Sequence, residues 1–154
     1  MFERLGHDAR STVHQAQLQA REDGAGTIEA PHLLLALTEA PGRAGRVLAN
    51  LGMTGETVRA ALDREFADAL AAVGVHESLP ARRKLSTPRR GFPRWGQSAK
   101  LAIKRALGEA IRRGDGKLGN EHLLLAVVSA EAGVIPRLLG ELQITPAQVR
   151  AALD

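Results

Sequence analysis

The segment that decides the fold is His32-Leu33-Leu34-Leu35-Ala36-Leu37, which recurs 90 positions later as His122-Leu123-Leu124-Leu125-Ala126-Val127. Small and apolar residues repeat at the same shift, and the matched pairs are Ala9 with Ala99, Val13 with Ile103, Ala16 with Ala106, Ala20 with Ala110, and Gly24 with Gly114. After a one-residue insertion the shift becomes 91, and residues 58–63 then match residues 149–154 without a mismatch. Because the matching segments keep their order, the sequence predicts one structural unit used twice.

Each copy is predicted to contain four helices. The first has apolar residues three or four positions apart and ends at Gly24 or Gly114, since glycine is favoured just past a helix end. The Leu-rich second helix is predicted to start near Pro31 in the first copy and near Glu121 in the second. The third helix is predicted over residues 45–51 and 134–142, and the fourth is predicted to start at Thr54 and Thr145. Asn120 is predicted to be an N-cap, and residues 145–148 a capping box with proline at the first helical position.

The composition supports close-packed helices. The 154 residues include three Phe, one Trp and no Tyr, so the core must consist mainly of Leu, Ala and Val. A β-sandwich is a poor alternative, because strands favour aromatic and β-branched residues. The absence of Cys excludes disulfides and thiolate metal sites. The chain also lacks both a signal-peptide pattern and an apolar run of the roughly 20 residues that span a bilayer, so we expect a cytoplasmic protein.

A basic segment separates the two copies. Between Glu77 and Glu109 there is no acidic residue and there are nine basic ones, although the formal charge of the whole chain is only +4. The density of Pro and Gly argues against regular structure, so residues 76–97 are predicted to be a linker. Its candidate contact residues are Arg82, Arg83, Lys84, Arg89, Arg90 and Arg94. One interpretation is that they neutralise nucleic-acid phosphates while Phe92 or Trp95 stacks on bases. The interpretation that we favour is that the segment is a solvated spacer or contacts a protein partner.

Two glycine patterns resemble nucleotide sites but lack the required context. Residues 114–119 match G-x-G-x-x-G, yet a predicted helix precedes them where a dinucleotide site needs a strand, so we interpret them as a helix-ending turn. Residues 91–98 have the spacing of a P-loop, but Gln97 stands where the phosphate-binding lysine is needed. Neither pattern predicts a nucleotide site.

The histidines do not indicate catalysis or metal binding. The five His residues form no H-E-x-x-H motif, and no Ser-His-Asp set is apparent, so we predict neither an enzyme nor a bound metal or cofactor. His32 and His122 occupy matched positions at the start of the Leu-rich helix, where each ring is expected to bond the backbone. Glu121 is placed to complement the helix dipole, and its carboxylate is also suited to a guanidinium group of a partner.

The doubled unit, its opening Met1-Phe2-Glu3-Arg4 and its Glu121-His122-Leu123-Leu124-Leu125-Ala126 helix start resemble the N-terminal domain of the Clp ATPase unfoldases, closest to the ClpC type. The resemblance implies an all-α fold in which two pseudo-symmetric four-helix repeats, residues 1–75 and 98–154, pack into one globular Clp-N-type domain. It also implies a domain that binds adaptor proteins and substrates and passes them to an ATPase ring.

In ClpC-type domains the second helix of each repeat begins Gly-Thr-Glu-His, and its glutamate helps to bind phosphorylated arginine. Glu121 matches that glutamate in the second repeat, with Asn120 in place of the threonine. In the first repeat Ala30-Pro31-His32 lacks the carboxylate. The resemblance therefore implies one degenerate site or none, and the candidate ligand- or partner-binding residues are Phe2, His32, Asn120, Glu121 and His122.

The chain contains no ATPase motif, so it is expected to be a stand-alone Clp-N protein or a fragment of an unfoldase, with the first preferred. The function predicted from the resemblance is a non-catalytic adaptor or decoy paralogue of the ClpC N-terminal domain. Its expected partners are Clp substrates, adaptors, phosphoarginine or ClpC-directed cyclic peptides. A small nucleic-acid-binding protein that uses residues 82–94 is the alternative.

Overall fold

The computed structural model describes residues 2–75 and 91–154. A short 3-10 helix, Phe2–Arg4, opens the chain, and two two-residue strands are present, β1 (Thr27–Ile28) and β2 (Arg94–Trp95). The described residues also form eight α-helices, which in chain order are α1 (His7–Glu22), α2 (Ala30–Glu39), α3 (Arg43–Asn50), α4 (Gly55–Ala72), α5 (Gln97–Arg113), α6 (Asn120–Val128), α7 (Val134–Glu141) and α8 (Pro146–Leu153). The predicted all-α fold of two four-helix repeats is confirmed.

The helix ends follow the predicted chemistry. Gly24 and Gly114, which come just after α1 and α5, have positive φ angles of 68° and 78°, a conformation that glycine adopts without strain. The Thr145 hydroxyl accepts a hydrogen bond from the Gln148 N–H at 3.2 Å, and the Gln148 side chain accepts one from the Thr145 N–H at 2.7 Å. The capping box is therefore confirmed. The prediction for Asn120 is wrong by one residue, because Gly119 is the N-cap and Asn120 the first helical residue of α6.

The two Leu-rich helices form the centre of the core. In α2 every residue from Ala30 to Leu37 is buried, and in α6 so is every residue from His122 to Val128. A helix that is buried on all sides must be covered by other helices, and α2 and α6 contact each other as well as the outer helices of both repeats. Both copies therefore share one core.

The end of the predicted linker is not irregular. β2 pairs in parallel with β1, with Arg94 opposite Thr27 and Trp95 opposite Ile28, and the Gly96 N–H donates to the Ile28 carbonyl at 2.8 Å. The prediction of no regular structure over residues 76–97 is wrong for this pair, since a two-residue strand has no detectable periodicity and depends on its partner. Residues 76–90 of the predicted linker lie outside the described residues.

A matching bridge joins the repeats on the opposite side. Leu5 pairs in parallel with Leu118, and the Gly6 N–H donates to the Leu118 carbonyl at 2.8 Å. Leu5 and Leu118 occupy the positions that Trp95 and Ile28 occupy in the other copy. The segment before the first helix of each repeat therefore pairs with the segment before the second helix of the other repeat.

Among the described residues, no helix combines the length and the hydrophobicity that crossing a bilayer requires.

Candidate ligand-binding site

The start of α6 is built by both repeats. The Asn120 N–H donates to the Asp8 carboxylate of α1 at 3.0 Å. At the matched place in the other copy, the Ala30 N–H donates to the Ser98 hydroxyl of α5 at 2.8 Å. Asp8 and Ser98 are 90 positions apart and thus occupy matched positions. The first helix of each repeat therefore caps the second helix of the other, a role that the sequence did not reveal.

The two matched histidines hold these helix starts. His122 Nδ1 accepts a hydrogen bond from the Gly119 N–H at 2.9 Å, and His32 Nδ1 accepts one from the Glu29 N–H at the same distance. The predicted backbone bonds are confirmed. Because Nδ1 accepts, we assign the ring proton of His122 to Nε2, which donates to the Asp115 carboxylate at 2.7 Å. Both rings are buried, so they position the helix starts and expose little surface to a ligand.

Glu121 is the half-buried second residue of α6. Within residues 2–75 and 91–154, its carboxylate has no hydrogen-bond or ion-pair partner. Its counterpart Pro31 is buried and carries no charge. The nearby Glu29 is already used, since its carboxylate accepts hydrogen bonds from the Ser98 N–H at 3.2 Å and from the Ser98 hydroxyl. The two helix starts therefore differ, and of the two only the second presents a carboxylate that has no partner among the described residues.

A cavity of about 380 Å³ opens beside this helix start, between α1, the end of α2 and Asn120. Asp8 and Glu39 supply carboxylates to its wall. Asn120 also lines it, is only 4% exposed, and has a side-chain oxygen without a hydrogen-bond partner among the described residues. The two carboxylates in this wall favour a ligand that carries N–H groups. Asp8 and Glu39 were not among the residues predicted from the sequence.

A second cavity, of about 460 Å³, lies next to the 3-10 helix that contains Phe2. Its wall is formed by Glu3, Leu5 and four residues of α1, which are Arg10, Val13, His14 and Gln17. Phe2 belongs to the 3-10 helix of the first repeat, whereas Asn120 and Glu121 lie at the helix start formed by both repeats. The structure therefore separates the predicted binding residues into two regions.

The nucleic-acid candidates are only partly described. Arg82, Arg83, Lys84, Arg89 and Arg90 lie outside the described residues, whereas Arg94 is exposed in β2.

The two candidate stacking groups are both engaged within the protein. The Arg21 guanidinium lies 5.3 Å from the centre of the Phe92 ring, and Trp95 packs against the core. Trp95 is therefore not presented as an open platform for bases, whereas Phe92 is 60% exposed.

A cluster of charges around Glu109 was not predicted. The Glu109 carboxylate accepts hydrogen bonds from Arg112 at 2.6 Å, Arg113 at 3.1 Å and Arg150 at 3.1 Å. These bonds, that from Arg112 foremost, lower the pKa of Glu109 from 4.5 to about 2. The placement of Arg112 and Arg113 three and four residues after Glu109 is visible in the sequence, but the contact with α8 through Arg150 depends on the fold.

Comparisons with known proteins agree with this architecture. The family described as the Clp repeat (R) N-terminal domain matches residues 4–87 and 94–154. The N-terminal domain of the chaperone ClpD from Arabidopsis thaliana superposes with a TM-score of 0.70 at 20% identity, over 99% of this chain and 96% of that one. The Hsp104 N-terminal domain from Candida albicans superposes with a TM-score of 0.68 at 13% identity, over 97% and 89%.

Curated relatives are much longer than this chain. The chloroplastic ClpA homologue of Brassica napus and the chloroplastic chaperone ClpC1 of Arabidopsis thaliana are each 30% identical over 97% of this chain. The chain spans 15% of the length of the first protein and 14% of the second. Since the family match covers most of both repeats, the chain belongs to the Clp_N family of Clp repeat N-terminal domains.

Proposed function

We propose that this chain is a non-catalytic protein- and peptide-binding module of the Clp protease system, acting as an adaptor or as a decoy for ligands of the ClpC N-terminal domain. The observation that carries the proposal is the half-buried Glu121 at the start of α6, whose carboxylate is unpaired within the part of the chain that the structure describes. It stands where the resemblance to ClpC-type domains places a ligand-binding glutamate, within a fold that belongs to the same family.

The chemistry at this helix start suits a guanidinium group. A carboxylate accepts two parallel N–H bonds from a guanidinium, and the Asp8 carboxylate at the same helix start adds negative charge. Phosphoarginine combines a guanidinium-derived N–H donor with a phosphate, and the N-terminus of a helix attracts the phosphate. Because Pro31 replaces the carboxylate in the first repeat, we expect one such site per chain.

Retention of a phosphoarginine-bearing protein on the immobilised chain tests this site. We expect Glu121→Gln to weaken retention about tenfold, because a charge-assisted hydrogen bond is lost. The matched control is Glu56→Gln, since Glu56 is the exposed second residue of α4 and loses the same charge at the same helix position. Equal retention by the two variants would remove Glu121 from the binding site.

The cavity lined by Glu3, Leu5 and α1 is the proposed site for a ClpC-directed cyclic peptide. Its volume of about 460 Å³ and its mixed wall accommodate apolar and polar side chains of such a ligand. Titration calorimetry with one of these cyclic peptides should give heat that His14→Ala reduces. His7→Ala is the matched control, since His7 is also exposed on α1 but does not line this cavity. No heat at high micromolar peptide would contradict the decoy role.

A further inference from the structure

A groove along α5 combines two cavities of opposite character. The larger cavity has a volume of about 470 Å³ and lies between α5, the end of α6, the start of α7 and the start of α2. Its wall is mainly apolar and includes Leu101, Val127 and Ile135. Leu101 is 41% exposed and belongs to this apolar wall, so it is accessible to a ligand in the cavity. This end of the groove suits a large apolar side chain.

The smaller cavity, of about 310 Å³, continues the groove towards α8. It is lined by the three arginines Arg105, Arg112 and Arg150, and by one carboxylate, that of Glu109. Arg105 and Ala126 line both cavities, so the two cavities adjoin. A ligand that lies along α5 can therefore occupy both.

The basic end of the groove is preorganised. Glu109 holds Arg112 and Arg150 in place through hydrogen bonds of 2.6 and 3.1 Å, whereas Arg105 has no ion pair or hydrogen bond within the described residues. Three guanidinium groups against one carboxylate leave an excess of positive charge. Guanidinium groups held in this way lose little side-chain entropy when they bind a carboxylate.

The groove is specific to the second repeat. At the matched positions of α1, Ser11 replaces Leu101, Gln15 replaces Arg105 and Glu22 replaces Arg112. These positions lie outside the shared core, and the cavity at the matched place in the first repeat carries the carboxylates of Asp8 and Glu39 instead. Because the core does not require Leu101 or Arg105, their chemistry is free to serve binding.

We propose that the α5 groove binds an extended peptide segment of a partner protein, in which large apolar side chains adjoin acidic ones. The apolar side chains occupy the larger cavity beside Leu101, and the carboxylates contact Arg105, Arg112 and Arg150. This inference rests on the proposed function, since it assigns the kind of segment that a protein-binding module would recognise.

The distribution of charge favours a peptide over a nucleic acid. Glu29 and Glu131 line the apolar end of the groove, and Glu109 lies among the arginines. A continuous chain of phosphates would meet these carboxylates along its length and would leave the apolar wall uncovered. A peptide with acidic groups at one end avoids both penalties.

Fluorescence anisotropy with a fluorescein-labelled peptide that contains Leu-Leu-Glu-Glu-Glu tests the groove. We expect Arg105→Glu and Leu101→Ser each to weaken binding about tenfold, because one reverses a contacting charge and the other removes apolar contact. The matched controls are Arg46→Glu, an exposed arginine of α3 outside the groove, and Ile111→Ser, which is 58% exposed on α5 and outside both cavities. Circular dichroism checks that each variant is folded.

Control ligands test which chemistry the α5 groove recognises. Peptides that contain Ser-Ser-Glu-Glu-Glu or Leu-Leu-Lys-Lys-Lys should bind much more weakly, since each satisfies only one end of the groove. The proposal is overturned if the first peptide does not bind, or if the groove variants and their controls bind equally. It is also overturned if single-stranded DNA binds more tightly than the peptide and depends on Arg105. Retention of phosphoarginine through Glu121 is scored separately, so failure of one site is distinguishable from failure of the other.

Discussion

At the scale of single residues, His122 illustrates a role that sequence position predicts well. Its place three residues after Gly119 allows the ring to reach back to the backbone N–H of the N-cap, and the structure confirms that bond. The bond to Asp115 adds a second constraint at 2.7 Å. The cap from Asp8 is different, since residues that are 112 positions apart meet only through the tertiary fold.

Replacement of His122 by alanine should therefore be costly. We expect His122→Ala to lower the free energy of unfolding by about 1–3 kcal/mol, because the Gly119 N–H loses its acceptor in a partly buried site. His14→Ala removes an exposed histidine and should have an effect below about 0.5 kcal/mol. Urea unfolding at neutral pH measures both. Similar losses in the two variants would mean that the bond of His122 contributes little.

Glu109 should make the free energy of unfolding depend on pH in the acidic range. Its pKa is lowered from 4.5 to about 2, so the carboxylate binds its proton more weakly in the folded state than in the unfolded state. This contribution is complete above pH 4.5 and is lost as the pH falls towards 2. At neutral pH we expect Glu109→Gln to lower the free energy of unfolding by about 1 kcal/mol, since its arginine partners are partly exposed.

The difference between the parent chain and Glu109→Gln should shrink as the pH is lowered through this range. Urea unfolding at several pH values gives the difference directly. A difference that stays constant from pH 7 to pH 2 would show that Glu109 does not cause it.

At the scale of elements, helices were predictable and their cross-repeat contacts were not. Thr54 and Thr145 begin helices through hydrogen bonds to residues three positions later. Both partners of each bond are therefore visible in the local sequence. β2 depends on a partner strand in the other repeat, and its two residues carry no periodic signal. The sequence places Glu121 at a helix start, whereas the α5 groove depends on how α5, α6 and α8 pack.

The two caps between repeats, that of Asp8 on α6 and that of Ser98 on α2, should contribute equally to the free energy of unfolding. We expect Asp8→Ala and Ser98→Ala each to lower the free energy of unfolding by about 1 kcal/mol, as for the loss of an N-cap. The reason is that Asn120 and Ala30 then lose side-chain acceptors for their N–H groups. Ser11→Ala, which changes an exposed residue of α1, is the control for Asp8→Ala. Stability is measured by thermal unfolding. If only one of the two variants were destabilised, the two caps would not be equivalent.

At the scale of the whole molecule, strand pairs and helix caps connect the two repeats. We therefore predict that the repeats unfold together. Trp95 is the only tryptophan, and its strand pairs with Ile28 of the other repeat, so its fluorescence reports on the contact between repeats. Helix content, measured by circular dichroism, reports on all eight helices of the described residues. If the repeats form one cooperative unit, the two signals should follow the same urea transition.

A change at the contact between repeats should then shift both signals together. Ile28 is fully buried, and we expect Ile28→Ala to lower the free energy of unfolding by about 2–5 kcal/mol because it leaves a cavity beside Trp95. Ile111→Ala is the control, since Ile111 is 58% exposed and its truncation leaves no buried cavity. Tryptophan fluorescence that changes at lower urea than the helix signal would show that the repeats separate before they unfold, and that each is stable without the other.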